Sequence, residues 1–305
     1  MLIFIKLLRS RNFILILAIV FGLVTGKTIA TWTEPLVLPA LALVMTLSAT
    51  NVTSRDFASF KAMPRQILAS LLLNYAVMGG IILLMGWWLI DDRELWAGLV
   101  VSATAPPGVA ILPFSYLLGG NTLFSLIGMI GAYLAALVIM PLAMVLLLGV
   151  NFFNPLDVLL ILGELILIPV VVSRLLLFTR LDRRINPWRG IIVNWSFFVV
   201  LFTIVGLNQS AFFSQFDVLL KMMLIAIVIS FGLGYVIELV TGKILHVSRE
   251  TSISLMLMGT FKNYGLASGI LLALFGERAA IPASVCLVFG ILYFVWLGFR
   301  YRKPA

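Results

Sequence analysis

The chain has 305 residues, of which 62% are hydrophobic and 11% are charged, and its mean hydropathy is +1.17. Soluble globular domains carry roughly 25% charged residues, so this composition excludes an ordinary water-soluble fold and indicates an all-α membrane protein with many spans. A net charge of +9 would suit nucleic-acid binding in a soluble chain, but the basic residues follow the membrane pattern described below. We therefore expect a lipid bilayer around the protein and no nucleic-acid partner.

Ten apolar runs are long enough to cross the ~30 Å hydrocarbon core of a bilayer. In chain order they cover residues 13–31, 35–50, 67–90, 95–118, 122–150, 157–178, 189–207, 217–240, 251–274 and 279–299. The first run follows Lys6, Arg9 and Arg11 and has no convincing small-residue cleavage site, so we interpret it as an uncleaved span rather than a signal peptide. The second run is short and begins with Pro35 and Pro39.

The basic residues fix the expected orientation of these spans. If the loops alternate between two sides, three basic residues fall on one side: Lys27, Arg93 and Arg278. Sixteen fall on the other side, which carries both termini: Lys6, Arg9, Arg11, Arg55, Lys61, Arg65, Arg174, Arg180, Arg183, Arg184, Arg189, Lys243, Arg249, Arg300, Arg302 and Lys303. Cytoplasmic loops carry the excess of lysine and arginine, so we expect both termini in the cytoplasm, with the protein in a bacterial plasma (inner) membrane.

A polar connection, Asn151-Phe-Phe-Asn154-Pro155, divides the ten spans into two sets of five. The sequence thus predicts one membrane domain made of two repeats, residues 1–150 and 151–305. Because each repeat has an odd number of spans, the second must insert upside down relative to the first. Inverted repeats of this kind are common in secondary transporters, whose binding sites lie near the midplane between the repeats.

The fourth span of each half contains residues that interrupt a helix. One interruption is Ser102-Ala-Thr-Ala-Pro106-Pro107-Gly108, and the other is Gly259-Thr260-Phe261-Lys262-Asn263-Tyr264-Gly265. Proline removes a backbone hydrogen bond and clashes with the preceding turn, so the first segment is expected to unwind. A simple structural kink is the alternative. Two interruptions at matching positions favour a pair of crossed, discontinuous helices that form a binding site, with Thr104, Pro107 and Gly108 on one side of it.

Lys262 is the most unusual residue of the second interruption, since it lies about eleven residues into an apolar span. A lysine exposed to lipid at that depth costs about 2.5–3.5 kcal/mol on insertion scales, so the side chain must face protein, water or a counter-charge, or be neutral. It is expected to be a fixed cation, a proton carrier or a contact to an anionic substrate; a lysine satisfied by carbonyls in a structural role is the alternative. Thr260 and Asn263 flank it, and Glu164 is the one acid clearly inside a predicted span.

Cysteine and histidine usage excludes several other site types. The chain has one cysteine, Cys286, and one histidine, His246, so it has neither a disulfide framework nor a multi-cysteine metal site. No paired-aspartate, zinc or serine-histidine arrangement suited to hydrolysis is evident, so we expect no enzyme activity, no bound metal and no cofactor.

Several short motifs occur in the first half: a polar turn at Asn51-Val-Thr53-Ser54-Arg55-Asp56-Phe57, Pro64, the Pro107-Gly108 break and Tyr116-Leu-Leu-Gly119-Gly120-Asn121. With these motifs the first half resembles the bile acid:sodium symporter superfamily. Lys262-Asn263-Tyr264-Gly265-Leu266-Ala267 is similar to that family's glutamine-asparagine-x-glycine-leucine-alanine motif. The resemblance implies a core domain and a panel domain, with discontinuous helices four and nine crossing in the core. It also implies organic-anion substrates such as bile acids, pantoate and other carboxylates, which pass between the domains.

The departures from the family pattern concern its sodium ligands. Leu112 and Pro113 stand where the family has a serine-asparagine pair, Met258 stands in place of a glutamate, and Lys262 replaces the glutamine. A sodium site needs several oxygen ligands including negative charge, and this one has lost its carboxylate and gained a cation. Sodium binding at the usual positions is therefore not expected, and protons remain the candidate coupling ion. The simplest interpretation places the Lys262 ammonium where sodium would lie.

Together these features predict a sodium-independent secondary transporter for a small organic anion, coupled to protons or working by exchange or facilitated diffusion. Two alternatives remain: a non-transporting membrane sensor or scaffold with the same fold, and a sodium-coupled symporter whose ion sites have moved. The expected partners are the small anionic substrate and the bilayer; no oligomeric state is predicted.

Overall fold

The computed structural model describes residues 10–50, 64–149 and 153–301, and every regular element in these ranges is a helix. The α-helices are α1 (Arg11–Thr33), α2 (Val37–Ala49), α3 (Pro64–Leu71), α4 (Gly80–Leu89), α5 (Arg93–Thr104), α6 (Ile111–Leu118), α7 (Thr122–Leu148), α8 (Pro155–Leu162), α9 (Ile168–Phe178), α10 (Leu181–Leu207), α11 (Gln209–Phe213), α12 (Phe216–Ile227), α13 (Leu233–Leu239), α14 (Arg249–Thr260), α15 (Tyr264–Leu274) and α16 (Glu277–Arg300). A 3₁₀ turn joins α1 to α2, and π-helical turns lie at Leu72–Gly79, Gly163–Leu167, Val228–Gly232 and Val240–Ile244.

Seven helical stretches of the described ranges are long and apolar enough to cross a membrane. They are Phe13–Ala49, Pro64–Leu89, Thr122–Leu148, Pro155–Phe178, Leu181–Leu207, Phe216–Ile244 and Glu277–Arg300. Their hydropathy, together with the large hydrophobic side chains exposed on their outer faces, is that of a polytopic membrane protein.

The sequence predicts ten spans, and the difference has two physical causes. Residues of the first two predicted spans run on as one helical stretch of 37 residues, Phe13–Ala49, with a non-helical Gly26 at φ 65° inside it. The fourth and ninth predicted spans are each divided in two, because the backbone leaves the helix at the expected interruptions. None of the four resulting helices is long enough to count as a span by itself.

Small residues let α1 and α10 approach each other closely. A Cβ atom added to Gly22 would lie 2.9 Å from the Phe202 carbonyl oxygen, and one added to Gly206 would lie 2.6 Å from the Cβ of Ala30. Glycines at such contacts let backbones approach closely where lipid provides no hydrophobic force between helices. The helices α1, α2, α9 and α10 contact one another, and α3 to α7 pack with α12 to α16 as a second group.

Charged side chains tie helix ends together. Arg278, near the start of α16, pairs with Asp92 at 2.7 Å and also donates a hydrogen bond to Gln215, while Lys27 pairs with Glu277. The Asp92 carboxylate also accepts hydrogen bonds from two amide N–H groups of the first turn of α5, and so caps that helix. These contacts hold the N-terminal ends of α5 and α16 side by side.

The predicted repeat boundary at residues 150 and 151 lies outside the described residues, as does the polar turn at 51–57. The basic residues Lys6, Arg9, Arg55, Lys61, Arg302 and Lys303 lie outside them as well.

Candidate functional site

The two interruptions meet, and their backbones pair with each other. Helix α5 ends at Thr104 and α6 begins at Ile111; α14 ends at Thr260 and α15 begins at Tyr264. Pro107 and Lys262 form an antiparallel bridge across the gap. The Gly108 amide donates to the Phe261 carbonyl (3.2 Å), and the Asn263 amide donates to the Pro106 carbonyl (2.7 Å). The polar backbone groups released by one break are thereby satisfied by the other, as an apolar surrounding requires.

Gly108 is required by this close approach. A Cβ atom at position 108 would lie 3.2 Å from the carbonyl oxygen of Lys262, which is backbone and has little freedom to move aside. The sequence pattern Pro107-Gly108 thus combines a residue that ends a helix with one that lets the other chain segment come near.

Lys262 lies at the crossing and is almost completely buried, with 4% of its surface exposed. Its ammonium nitrogen donates hydrogen bonds to the Asn74 amide oxygen (2.9 Å) and to the Ala105 carbonyl (3.0 Å), and it lies 5.0 Å from the centre of the Tyr75 ring. Ala105 ends helix α5, so its carbonyl belongs to the negative end of that helix dipole. Within the described ranges, no carboxylate lies within ion-pair distance of Lys262.

Asn74 connects this cation to a third segment. It is fully buried in the π-helical turn between α3 and α4, and its side-chain nitrogen donates to the carbonyl of Met258 at 3.3 Å. π-helical turns inside α-helices are frequent at functional sites, because they redirect a side chain without ending the helix. The neighbouring Tyr75 is held by its hydroxyl, which donates to the Ala132 carbonyl at 2.7 Å.

Asn263 organises the other side of the crossing. Its side-chain oxygen accepts a hydrogen bond from the Leu266 amide (3.0 Å) and so caps the start of α15. Its side-chain nitrogen donates to the Tyr133 hydroxyl at 2.9 Å. The residue therefore links the second break to helix α7.

The other predicted site residues have more local contacts. Thr104 donates to the Val100 carbonyl and Thr260 to the Met256 carbonyl, each four residues earlier in its own helix. Such bonds are the ordinary structural role of threonine in a helix. Met258 contributes its carbonyl to Asn74, as described above.

The structure does not bring Glu164 to Lys262. Glu164 lies in the π-helical turn after α8 with its side chain exposed, whereas Lys262 is buried at the crossing. The turn directs the carboxylate outward, so it is not part of this group of contacts.

Two cavities adjoin the crossing, and Val109 lines both. The first, of about 80 Å³, is bounded by the breaks, by Arg11 and by side chains of α10 and α16. The second, of about 140 Å³, lies between α2, α7 and the helical stretch that contains α9. Arg174, which donates a hydrogen bond to the Ala49 carbonyl, lines the second cavity. Both cavities lie where helices of the first group face the second group.

Four residues of this site were not predicted as such: Asn74, Tyr75, Tyr133 and Arg11. The sequence gives one indication for Asn74, because an amide side chain in an apolar span needs a buried hydrogen-bond partner. The two tyrosines are indistinguishable by sequence from ordinary membrane-interface aromatics. In the sequence, Arg11 is indistinguishable from the other basic residues that orient the first span.

Comparison with known families agrees with this architecture. The family model described as Sodium Bile acid symporter family matches residues 38–215, more than half of the chain, and the match includes the first break. No curated protein matches the chain. The resemblance expected from the sequence motifs is thus confirmed, and the chain belongs to the Sodium Bile acid symporter family.

Proposed function

We propose that this protein is a secondary transporter of a small organic anion that works without sodium, and that the Lys262 ammonium takes the place of the coupling cation. The observation that carries the proposal is the contact set of Lys262: a buried cation, held by an amide oxygen and a helix-terminal carbonyl at the crossing of two broken helices. Family membership supports a membrane transporter of organic anions.

The ligands of the ammonium explain why it can replace a metal ion. Sodium, like other hard cations, is held by carbonyl, amide and carboxylate oxygens. The Lys262 ammonium donates hydrogen bonds to one backbone carbonyl and one side-chain amide oxygen. The positions at which carboxylate or polar ligands would be expected carry Met258, Leu112 and Pro113, whose side chains have no oxygen. A second positive ion beside a buried ammonium would also be repelled by it.

The proposed architecture is the ten-span inverted repeat predicted from the sequence. The stretch Phe13–Ala49 has 37 residues and so a helical length of about 55 Å, nearly twice the thickness of the hydrocarbon core. It therefore has the length for two crossings, with the turn near Gly26 or the 3₁₀ turn as the place of reversal. The pair α5 and α6 forms one broken crossing of the membrane, and the pair α14 and α15 forms another. Counting Phe13–Ala49 as two crossings and adding these two pairs raises the number of spans from seven to ten.

Contacts at the helix ends support the proposed orientation, with both termini in the cytoplasm of a bacterial cell. Asp92, Arg278, Lys27 and Glu277 pair among themselves, and the charge pattern assigns all four to the outside. At the opposite side Arg300 pairs with Glu238, and the same pattern assigns both residues to the cytoplasm.

The two groups of helices suggest how an anion would move. Helices α1, α2, α8, α9 and α10 correspond to the expected panel domain, and the others, with both breaks, correspond to the core domain. Both cavities beside the crossing lie between these groups. Rocking of one group against the other would expose the crossing alternately to each side, as in other transporters built from inverted repeats.

A proton-coupled mechanism is a second candidate, and the absence of a carboxylate near Lys262 in the described ranges favours it. No carboxylate of the described ranges fixes the charge of this ammonium by an ion pair. In this version Lys262 would change protonation between the two access states, and Lys262→Ala would abolish uptake driven by a pH gradient. In the fixed-cation version, Lys262→Arg would keep part of the transport with little change in its pH dependence.

Uptake by proteoliposomes tests the proposed function. Purified protein would be reconstituted and supplied with a panel of radiolabelled mono- and dicarboxylates, with sodium or N-methylglucamine outside, at pH 6 and pH 8. We expect uptake of at least one carboxylate that is equal with and without sodium. Binding of a carboxylate without any flux would favour a sensor or scaffold, and strict dependence on a sodium gradient would favour a symporter with displaced ion sites.

A further inference from the structure

Arg11 turns toward the site rather than toward the membrane surface. It is the first residue of α1, and its guanidinium carbon lies 4.5 Å from the centre of the Phe114 ring, a cation–π contact with the helix that follows the first break. Its Nε atom is buried, and it has no hydrogen-bond partner among the residues that the structure describes. A basic residue that only orients a span would extend its charged group into water.

The charge of Arg11 is available for a ligand. Burial lowers the pKa of Arg11 to about 10, so the guanidinium still carries its proton at neutral pH. Lys262, the other cation of the first cavity, already donates to Asn74 and Ala105. Lys262 thus uses two of its three donors and lies over the Tyr75 ring, whereas the buried Nε of Arg11 has no partner among the described residues.

The rest of the cavity suits a compact apolar body. Its walls include Leu15, Phe197, Leu201 and Leu287, and no acidic side chain lines it. Val109 and Ala110, just before α6, also line it, and their amide N–H groups donate to no acceptor in the described part of the chain. An arginine with an unpartnered Nε, two amide donors without an acceptor in the described ranges, and apolar walls match a ligand with one anionic end.

We infer that Arg11 is a substrate-binding residue whose guanidinium pairs with the carboxylate of a monocarboxylate that has a compact apolar body. The planar fork of a guanidinium accommodates both oxygens of one carboxylate, which a lysine ammonium does not match. The apolar walls of the cavity accommodate the hydrocarbon part of such an acid. This inference rests on the proposed function, because it names the ligand class of the same site.

Ligand-induced thermal stabilisation of the full-length protein in detergent tests this inference. The probes are benzoate and isovalerate, with benzamide as a neutral analogue and phthalate as a dianion. The variants are Arg11→Gln and Arg11→Lys, and Arg183→Gln, an exposed arginine of α10, serves as the matched control. Elution from a size-exclusion column shows that each variant is folded, and Arg11→Lys keeps the charge if Arg11→Gln does not fold.

We expect benzoate or isovalerate to stabilise the unmodified protein and Arg183→Gln with the same apparent affinity, and benzamide to have no effect. Removing a charged hydrogen-bond donor weakens binding by about tenfold or more, so Arg11→Gln would lose most of the stabilisation and Arg11→Lys would retain part of it. Unchanged affinity in Arg11→Gln would overturn the inference, as would failure of both monocarboxylates to bind the unmodified protein.

Uptake measurements separate this inference from the proposed function. Transport of another organic anion that is unaffected by Arg11→Gln would overturn the role of Arg11 and leave the proposed function standing. Absence of flux for every anion in the panel, combined with Arg11-dependent binding of benzoate, would overturn the transport function and leave Arg11 as a ligand-binding residue.

Discussion

The amide oxygen of Asn74 accepts a 2.9 Å hydrogen bond from the ammonium of Lys262, a residue 188 positions later in the chain. The same amide donates to the carbonyl of Met258, so one side chain joins the π-helical turn of one helix to the broken segment of another. This relationship makes Asn74 the main polar partner of the buried cation, and it leads to the first prediction.

Replacing Asn74 by leucine would leave Lys262 with one oxygen ligand and would leave the Met258 carbonyl without its donor. The loss of a partner by a buried polar group costs about 1–3 kcal/mol, so we expect a lower melting temperature and much reduced transport. Asn186→Leu, at an exposed position of α10, is the control and would change neither property. A melting temperature of Asn74→Leu equal to that of the unmodified protein would show that the contact does not stabilise the crossing.

Replacing Gly108 by alanine would place a methyl group 3.2 Å from the Lys262 carbonyl oxygen. The two breaks would have to separate, and overpacking of this kind costs about 1–3 kcal/mol. We expect lower thermal stability and slower transport. At Gly190, in α10, an added methyl group meets nothing within 4 Å, and alanine is the better helix former by up to about 1 kcal/mol. Gly190→Ala would therefore leave the thermal stability unchanged or raise it. Equal melting temperatures of Gly108→Ala and Gly190→Ala would argue against a tight crossing.

Replacing Lys262 by methionine keeps a long flexible side chain but removes the cation. The Asn74 amide oxygen and the Ala105 carbonyl would then lack their donor, so the crossing would lose stability and transport would stop. Lys221→Met is the matched control: Lys221 is a half-buried lysine that pairs with the exposed Asp217, and its replacement should cost less than about 1 kcal/mol. Full transport activity in Lys262→Met would mean that the cation has no part in the mechanism.

The pairing of Asp92 with Arg278 predicts a loss of stability in acid. Burial alone would raise the pKa of the Asp92 carboxyl, but hydrogen bonds from Arg278 and from the backbone of α5 outweigh it and lower the pKa. A carboxyl with a lowered pKa in the folded state contributes stability above its unfolded-state pKa and loses that contribution as the pH falls through its folded-state value.

Asp92→Asn separates this electrostatic part from the helix cap, because asparagine is also a good N-cap residue. We expect Asp92→Asn to lower the melting temperature at pH 7 only slightly, and to remove part of the decrease in melting temperature that we expect between pH 5 and pH 3. Asp92→Ala, which removes the cap as well, should cost about 1 kcal/mol more. An identical acid profile for Asp92→Asn and the unmodified protein would show that another group causes the decrease.

The sequence could predict the helix breaks and the buried cation because each depends on local chemistry. Two prolines and a glycine at 106–108 disturb any helix, and a lysine in an apolar span demands a partner whatever the fold. The helical character of the chain and its membership of the family followed from hydropathy and short motifs in the same way.

The partners of that cation depend on tertiary packing and could not be read from local pattern. Asn74 is close to Lys262 only because a π-helical turn directs it inward, and Arg11 turns toward Phe114 only because α1 packs beside the broken helix. Hydropathy also does not locate the turn between the first two apolar runs: the prediction places it at residues 31–35, whereas the backbone leaves the helix at Gly26.

The proposal that Lys262 replaces sodium is tested most directly by the melting temperature of the purified protein in NaCl and in KCl at equal ionic strength. We expect no difference for the unmodified protein, because the ammonium already occupies the oxygens of the crossing. Lys262→Gln replaces the ammonium by an amide. Its melting temperature in NaCl and in KCl shows whether the oxygens of Asn74 and Ala105 bind sodium when the ammonium is absent. Specific stabilisation of the unmodified protein by sodium over potassium would contradict the proposal that Lys262 stands in its place.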